Sequence, residues 1–457
     1  MNDQNEKVIV MVDSDPLVYY NIQDYFKNAP SENQIPFIVG SDWDTLTRNF
    51  TKEQIKEGFA EYITFNNIPF PYREIDTSEV QYKFNNLKNI SYSDFIMNDS
   101  GEVVEKYNDY KYPFSSYGKF VISFGHYHND ISNYYQQKNR YDCSSYTFNS
   151  PNEIWKDKNL LTKMNWTFWR FDVNGINIDK IRGSFRLGSY VATQFKPHVA
   201  KTIYDYVASK TKSKTKSTLD ISMGWGDRLA GFYTSKMNQY VGFDPNPTVF
   251  EVYKTQCKDY ELLLSGEEPV FVNLEISVNG KTYNGFHCTG KSGKEVYAYN
   301  APAEEMLDII RSNSFDCIFT SPPYFSTEKY SETNPENQSW FKYPEYDNWW
   351  NNFLKPVMST CYESLKDDGI MMINIMDPTI NGSRYRTCDQ LVDHIVSVGG
   401  HFDGQVGMRI KQRPKNIDPK SLNKHLLNTF IENIWCFSKN KFDLSFKHAT
   451  LETLFGD

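Results

Sequence analysis

The chain has 457 residues, 39% hydrophobic and 16% aromatic, with 49 basic against 57 acidic side chains. That length allows two or three domains with sizeable cores, and a net charge of −8 excludes a general polyanion binder, so any nucleic-acid contact must rest on local patches. Seven scattered cysteines without a Cys-x-x-Cys pair argue against a disulfide framework and a structural zinc site.

No apolar run approaches the roughly 20 residues of a membrane span. The opening MNDQNEKVIVMVDSD lacks the basic start and apolar core of a secretory signal. The expectation is an intracellular protein, not secreted, with no membrane partner and no metal.

Residues 1 to about 180 open with a strand-like run, Val8 to Val12, closing on Asp13-Ser14-Asp15-Pro16, a turn or helix cap. Thr51 stands three residues before Gln54, a capping box opening the helix KEQIKEGFAEYI. His126, His128 and Asp130 are metal-ligand residue types, but their setting reads as a polar loop. The segment is expected to form an aromatic-rich accessory or target-recognition domain.

Residues 181 to about 440 read as one nucleotide-binding unit. Phe195-Lys196-Pro197 leads into a helix, with Pro197 in the first turn where its missing N–H costs nothing. Lys210 to Lys216 is a lysine-rich linker, or a phosphate contact. A strand then ends near Ser222, Gly224 and Gly226 make a tight turn, and a helix starts near Asp227. A second strand closes on Asp244 at ribose-binding spacing from that turn. Residues 262–295 look inserted, and Asn279-Gly280 marks a hairpin expected outside the sheet. A third strand, Val296 to Asn300, precedes the loop Ala301 to Glu304.

The fourth strand, Phe315 to Phe319, must stop at Ser321. Pro322 and Pro323 have no N–H to give a ladder, so Ser321 to Tyr324 forms a stiff loop at the strand's carboxyl end. In open α/β sheets that is where ligands bind. A long polar-aromatic loop follows, in which Trp349 and Trp350 read as the apolar face of the next helix. A fifth strand (Gly369 to Ile375), a helix, a strand near HFDGQVGMRI, a basic loop (Arg409 to Lys415) and a closing strand (Phe430 to Lys439) complete the unit. Residues 441–457 read as a tail.

Ser321-Pro322-Pro323-Tyr324 resembles the catalytic motif of the amino-methyltransferases, which methylate the exocyclic nitrogen of adenine or cytosine in DNA using S-adenosylmethionine. The stretch from Asp220 to Asp244 resembles motifs I and II of S-adenosylmethionine-dependent methyltransferases. Phe195-Lys196-Pro197 is similar to the segment that packs on the methionine end of the cofactor. Glu432-x-Ile434-Trp435-x-Phe437-x-Lys439 resembles the family's closing strand. The resemblance covers about residues 180–440. It implies an α/β fold, a Rossmann-like methyltransferase sheet with helices on both faces, and S-adenosylmethionine as cofactor.

The implied cofactor-binding residues are Phe195, Lys196, Pro197, Asp220, Gly224, Gly226, Asp227 and Asp244, with Asp220 suited to the methionine amino group. Asn300 or Glu304 meets the adenine N6 amine. Ser321 and the Pro322 carbonyl accept from the target amine, Pro323 stiffens the loop, and Tyr324 stacks on a flipped base. Arg409, Lys411, Arg413 and Lys415 are candidate phosphate contacts. Cytosine C5 methylation is excluded, because its nucleophilic cysteine follows a proline and no Pro-Cys dipeptide occurs. Serine before Pro-Pro is commoner among cytosine-N4 enzymes, so N4 is favoured and adenine N6 stays open. Methylation of RNA or of a protein glutamine, or a catalytically inactive nucleic-acid-binding subunit, are the alternatives. DNA is the expected partner, RNA the second.

Overall fold

The computed structural model describes residues 21–97, 102–123, 125–164, 175–331, 334–410, 428–442 and 444. The Val8 to Val12 strand and its Asp13 to Pro16 turn lie outside the described residues, as does most of 441–457. The chain forms two compact units, Met1–Arg73 with Phe148–Val191, and Glu74–Thr147 with Ala192–Asp457. The division does not fall at residue 180. Residues 74–147 cluster with the sheet because Gly118–Ile122 pairs within it.

The first unit is helical. Thr51 caps helix Lys52–Phe65 through the expected box, its hydroxyl accepting from Gln54 N at 3.2 Å while Gln54 Oε1 accepts from Thr51 N at 2.8 Å. Phe59, Phe70, Trp155 and Phe185 meet edge-to-face in the core, and the Trp155 indole donates to the Ile68 carbonyl at 2.8 Å. Aromatic content here is packing.

The second unit is built on one mixed sheet. Its longer strands are β1 (Gly118–Ile122), β2 (Ser217–Asp220), β3 (Gln239–Phe243), β4 (Val270–Val278), β5 (Lys281–Thr289), β6 (Glu295–Tyr299), β7 (Phe315–Thr320), β8 (Leu365–Asn374), β9 (His401–Arg409) and β10 (Thr429–Ser438). They lie in the order β4-β5-β6-β3-β2-β7-β8-β10-β9-β1. From β6 to β8 every neighbouring pair is parallel. Counted from β2, that run reads 3-2-1-4-5, the doubly wound order. β10 then enters antiparallel to both β8 and β9, so β9 runs the same way as β7. The chain leaves β2 toward β3 on one side and returns to β7 on the other. The gap above β2 and β7 is therefore the topological switch point, where such sheets open a ligand crevice.

Helices cover both faces. Tyr204 of α1 (Pro197–Lys210) meets Phe319 edge-on. Ile318, pointing the opposite way from the same strand, joins the cluster of Val357 and Cys361 from α4 (Lys355–Ser364) and Leu391 from α5 (Thr387–Ser397). The remaining helices of the frame are α2 (Asp227–Tyr233) and α3 (Pro247–Ser265). Trp349 is fully buried in the α4 cluster, as a packing residue should be.

The β4–β5 hairpin corrects one expectation. It turns at Asn279 and Gly280, both with positive φ, but it does not lie outside the sheet. β5 pairs antiparallel with β6, supplying hydrogen-bond partners that the β6 edge would otherwise lack. The lysine-rich linker lies at the amino end of β2, the edge opposite the switch point. There Lys216 Nζ donates to the Thr211 and Ser213 carbonyls and Lys212 N to Asp368.

Candidate active site

β2 and β7 end side by side, and three side chains tie their turns together. The Asp220 carboxylate can only accept, so Thr320 Oγ1 donates to it at 2.9 Å. The Ser222 hydroxyl lies 2.9 Å from Thr320 Oγ1 and 2.8 Å from the Ser321 carbonyl. The turn after β2 is thus fastened to the loop after β7.

The β2 turn is glycine-dependent. Gly224 and Gly226 have φ of +57° and +77°, the left-handed region that a Cβ disfavours. Gly224 N donates to Asp244 Oδ2 at 2.8 Å and Asn246 N to Oδ1 at 3.0 Å. Burial pushes the Asp244 carboxyl up to about 6 against those bonds. Asn300 Nδ2 donates to the Asp244 carbonyl at 2.9 Å. Asp227 begins α2 and accepts from Ser132 and Gln194, while its Oδ2 is buried with no hydrogen-bond partner among the described residues. Burial lifts this carboxyl to about 6 as well.

The β7 loop is stiffened at both ends. Phe325 has φ of +52°, a strain of about 1–3 kcal/mol for a non-glycine residue. Its ring is buried against Tyr346, Trp349 and Tyr385, which holds that conformation. Tyr324 is half-buried; its hydroxyl donates to Glu432 Oε1 at 2.6 Å and lies 3.3 Å from Ser321 Oγ. Burial, then the Glu432 charge, raises the Tyr324 pKa well above the usual phenol range. Asn374 Nδ2 also donates to Glu432 Oε1, at 3.2 Å. Among the described residues no donor meets the Pro322 carbonyl.

Residues 315–455, which contain this loop, match the family model described as DNA methylase, N6_N4_Mtase. That match supports a DNA methylase of the N4-cytosine/N6-adenine family for this segment. The match also supports S-adenosylmethionine as cofactor. No curated protein matches the sequence. Solved structures similar to this chain include a putative RNA methyltransferase from Pyrococcus horikoshii, at 10% identity over 53% of this chain and 82% of that one, with a TM-score of 0.29. A putative S-adenosylmethionine-dependent methyltransferase from Listeria monocytogenes aligns at 8% identity over 53% and 99%, TM-score 0.28. A precorrin-6y C5,15-methyltransferase from Geobacter metallireducens aligns at 10% over 55% and 94%, TM-score 0.30. Alignments this loose carry no argument about substrate.

The fold brings most of the expected residues to one place. Phe195 packs on Phe319 at 5.5 Å, with the Arg228 guanidinium 5.6 Å from its ring centre. Lys196 is buried beside it; burial lowers its pKa, against the pull of Glu432 and Asp227. Pro197 is the first residue of α1. Arg409 ends β9 and so lies at the same sheet edge as Ser321. Lys411, Arg413 and Lys415 lie outside the described residues.

Asp220 is corrected. It is fully buried, with Arg228 Nε at 2.8 Å, Arg228 Nη2 at 3.2 Å, the Tyr240 hydroxyl at 2.6 Å, and Thr320 and Ser222 N as further donors. A carboxylate with its lone pairs so occupied holds the turn from below and has none left for a cofactor amine. Glu304 likewise faces Lys342 Nζ at 2.6 Å and the Tyr343 hydroxyl at 3.3 Å. Of the two candidates for the adenine ring, only Asn300 adjoins Asp244. His128 and Asp130 serve packing, the first meeting Asn86 at 2.9 Å and the second pairing with Lys83.

Sequence reasoning missed Ser222, Phe325, Glu328, Asn374 and Glu432 as members of the site. Glu328 is held up to about 8, by burial first. Glu432 left a trace as the first residue of the closing-strand pattern, and Ser222 as the end of the strand before the glycine turn.

Proposed function

We propose that the chain transfers a methyl group from S-adenosylmethionine to the exocyclic amine of a base flipped out of DNA. Cytosine N4 is the favoured target and adenine N6 the alternative. The observation that carries this reading is the fastening of the Gly224–Gly226 turn to the Ser321–Tyr324 loop through Ser222. That fastening supports a donor site and an acceptor site at one switch point, and the DNA methylase match supports DNA as the substrate class.

The chemistry asks for positioning more than for a nucleophile on the enzyme. A base amine has its lone pair delocalised into the ring, so the site must turn that pair toward the methyl group. Acceptors on the two N–H bonds do this, the Ser321 hydroxyl and the Pro322 carbonyl. Tyr324 offers the ring on which the extruded base stacks. When bound, S-adenosylmethionine supplies an electrophilic methyl on a sulfonium, whose bond electrons stay on sulfur. Asp244 and Asn300 fit its ribose and adenine end. Lys196 and Asp227, whose Oδ2 has no hydrogen-bond partner among the described residues, are a cation and an anion suited to its amino-acid end. We assign target recognition to the unit of residues 1–73 and 148–191, and phosphate contacts to Arg409 and the basic loop after it.

Mass spectrometry of nucleosides from DNA incubated with labelled cofactor tests the assignment. N4-methylcytosine or N6-methyladenine is the expected product. Label found only in RNA or peptide overturns the DNA reading, and unchanged turnover in Ser321→Ala removes the site.

A further inference from the structure

The hydrogen bonds behind Ser321 run in one direction only. Glu432 Oε1 accepts from the Tyr324 hydroxyl at 2.6 Å, and a carboxylate has no proton to return. Tyr324 Oη also lies 3.3 Å from the Asn374 carbonyl and side-chain oxygen. Its single proton goes to the shorter, charged acceptor. Oη is then left as an acceptor toward Ser321 Oγ at 3.3 Å. Ser321 therefore donates to Tyr324, which leaves its lone pairs to accept. A serine hydroxyl in isolation can donate or accept; Glu432 removes that freedom from a residue two bonds away.

We propose that Glu432 is a positioning residue that makes Ser321 an acceptor for the target amine, and that Ser321, Tyr324 and Glu432 form a relay carrying away the amine's surplus proton. This rests on the amino-methyltransferase reading above. Once the C–N bond has formed and the C–S pair has returned to sulfur, the amine bears one proton too many. That proton passes to Ser321 Oγ as the Ser321 hydrogen moves to Tyr324 Oη and the Tyr324 hydrogen to Glu432 Oε1. Ser321 and Tyr324 end neutral, the product amine is neutral, and Glu432 holds the proton until solvent takes it. No other base is required. Among the described residues, Lys196, from the segment leading into α1, and Glu328, which follows the loop, are charged groups that interact electrostatically with Glu432. Asn374 Nδ2, donating at 3.2 Å, steadies the same oxygen.

A double-mutant cycle tests this. Glu432→Gln and Tyr324→Phe should each lower kcat at least about tenfold, toward the ~10²-fold typical of a positioned acid–base group. KM for S-adenosylmethionine and its calorimetric affinity should stay at the wild-type values, which also shows that each variant is folded. The double variant should be no slower than the slower single one, because both remove the same chain. Glu432→Asp, which keeps an acceptor-only group, should recover part of the rate that Gln loses. Multiplying losses, or wild-type kcat in both single variants, would overturn the relay while leaving the methyltransferase reading standing. A wild-type protein that binds cofactor yet methylates no amine would remove both.

Discussion

Ser222 Oγ sits 2.8 Å from the carbonyl oxygen of Ser321, 99 positions away in the chain. One side chain leaving the glycine turn thus fixes the start of the Ser-Pro-Pro-Tyr loop. Ser222→Ala keeps the turn's backbone and removes the tie. We expect a loss of about 1 kcal/mol in stability, the size of one hydrogen bond. The fall in kcat should exceed what that loss implies, since misplacement acts on the transition state. Urea unfolding and single-turnover kinetics together check it; equal, small effects on both would leave Ser222 a packing residue.

Gly226→Ala should be severe. Its φ of +77° is strained for alanine, and a Cβ would fall 2.5 Å from Gln256 Oε1, on a side chain with no exposed surface. The left-handed penalty is about 1–2 kcal/mol, and the clash adds to it. Cofactor affinity measured by calorimetry should drop with the melting temperature.

Asp220→Asn tests the corrected role. The change leaves Arg228 buried without its counterion, which typically costs about 3–5 kcal/mol. A large fall in melting temperature is expected, in the apo protein as much as in the presence of S-adenosylmethionine. A variant of normal stability that had lost only cofactor affinity would restore Asp220 to the binding set.

The two buried carboxyls give a pH signature. Asp244 and Asp227 are each pushed up to about 6 from an ordinary 3.8, by burial. A raised folded-state value means the folded chain keeps protons that the unfolded chain has released. That contribution to stability is present below about pH 4 and lost as the pH rises through about 6. Cofactor affinity should run the other way, because a ribose hydroxyl donates best to a charged Asp244. Calorimetry from about pH 5 to about pH 7.5 should show tightening across that window, and Asp244→Asn should flatten it.

Much of the site is legible because its constraints are local. A double proline cannot stay in a ladder, a left-handed turn wants glycine, and an acid at the end of the next strand follows at a set interval. Those rules place Ser321, Gly224, Gly226 and Asp244 from neighbouring residues alone. Thr51 and Gln54 show the same for a helix start.

What the amino-acid order determined by itself was therefore the succession of strands, turns and loop chemistry between residues 181 and 440. The fold decided which protein groups each acid meets. Asp220 and Asp244 both look like ligands in one dimension, and both are buried; the ion pair with Arg228 distinguishes them. Tyr324 meets Glu432 across 108 positions, and β4–β5 joins the sheet because β6 had an open edge. Contacts of this kind depend on which strands become neighbours. No short stretch of chain carries that information, because the free energy that selects them comes from pairing distant backbones and burying distant charges together.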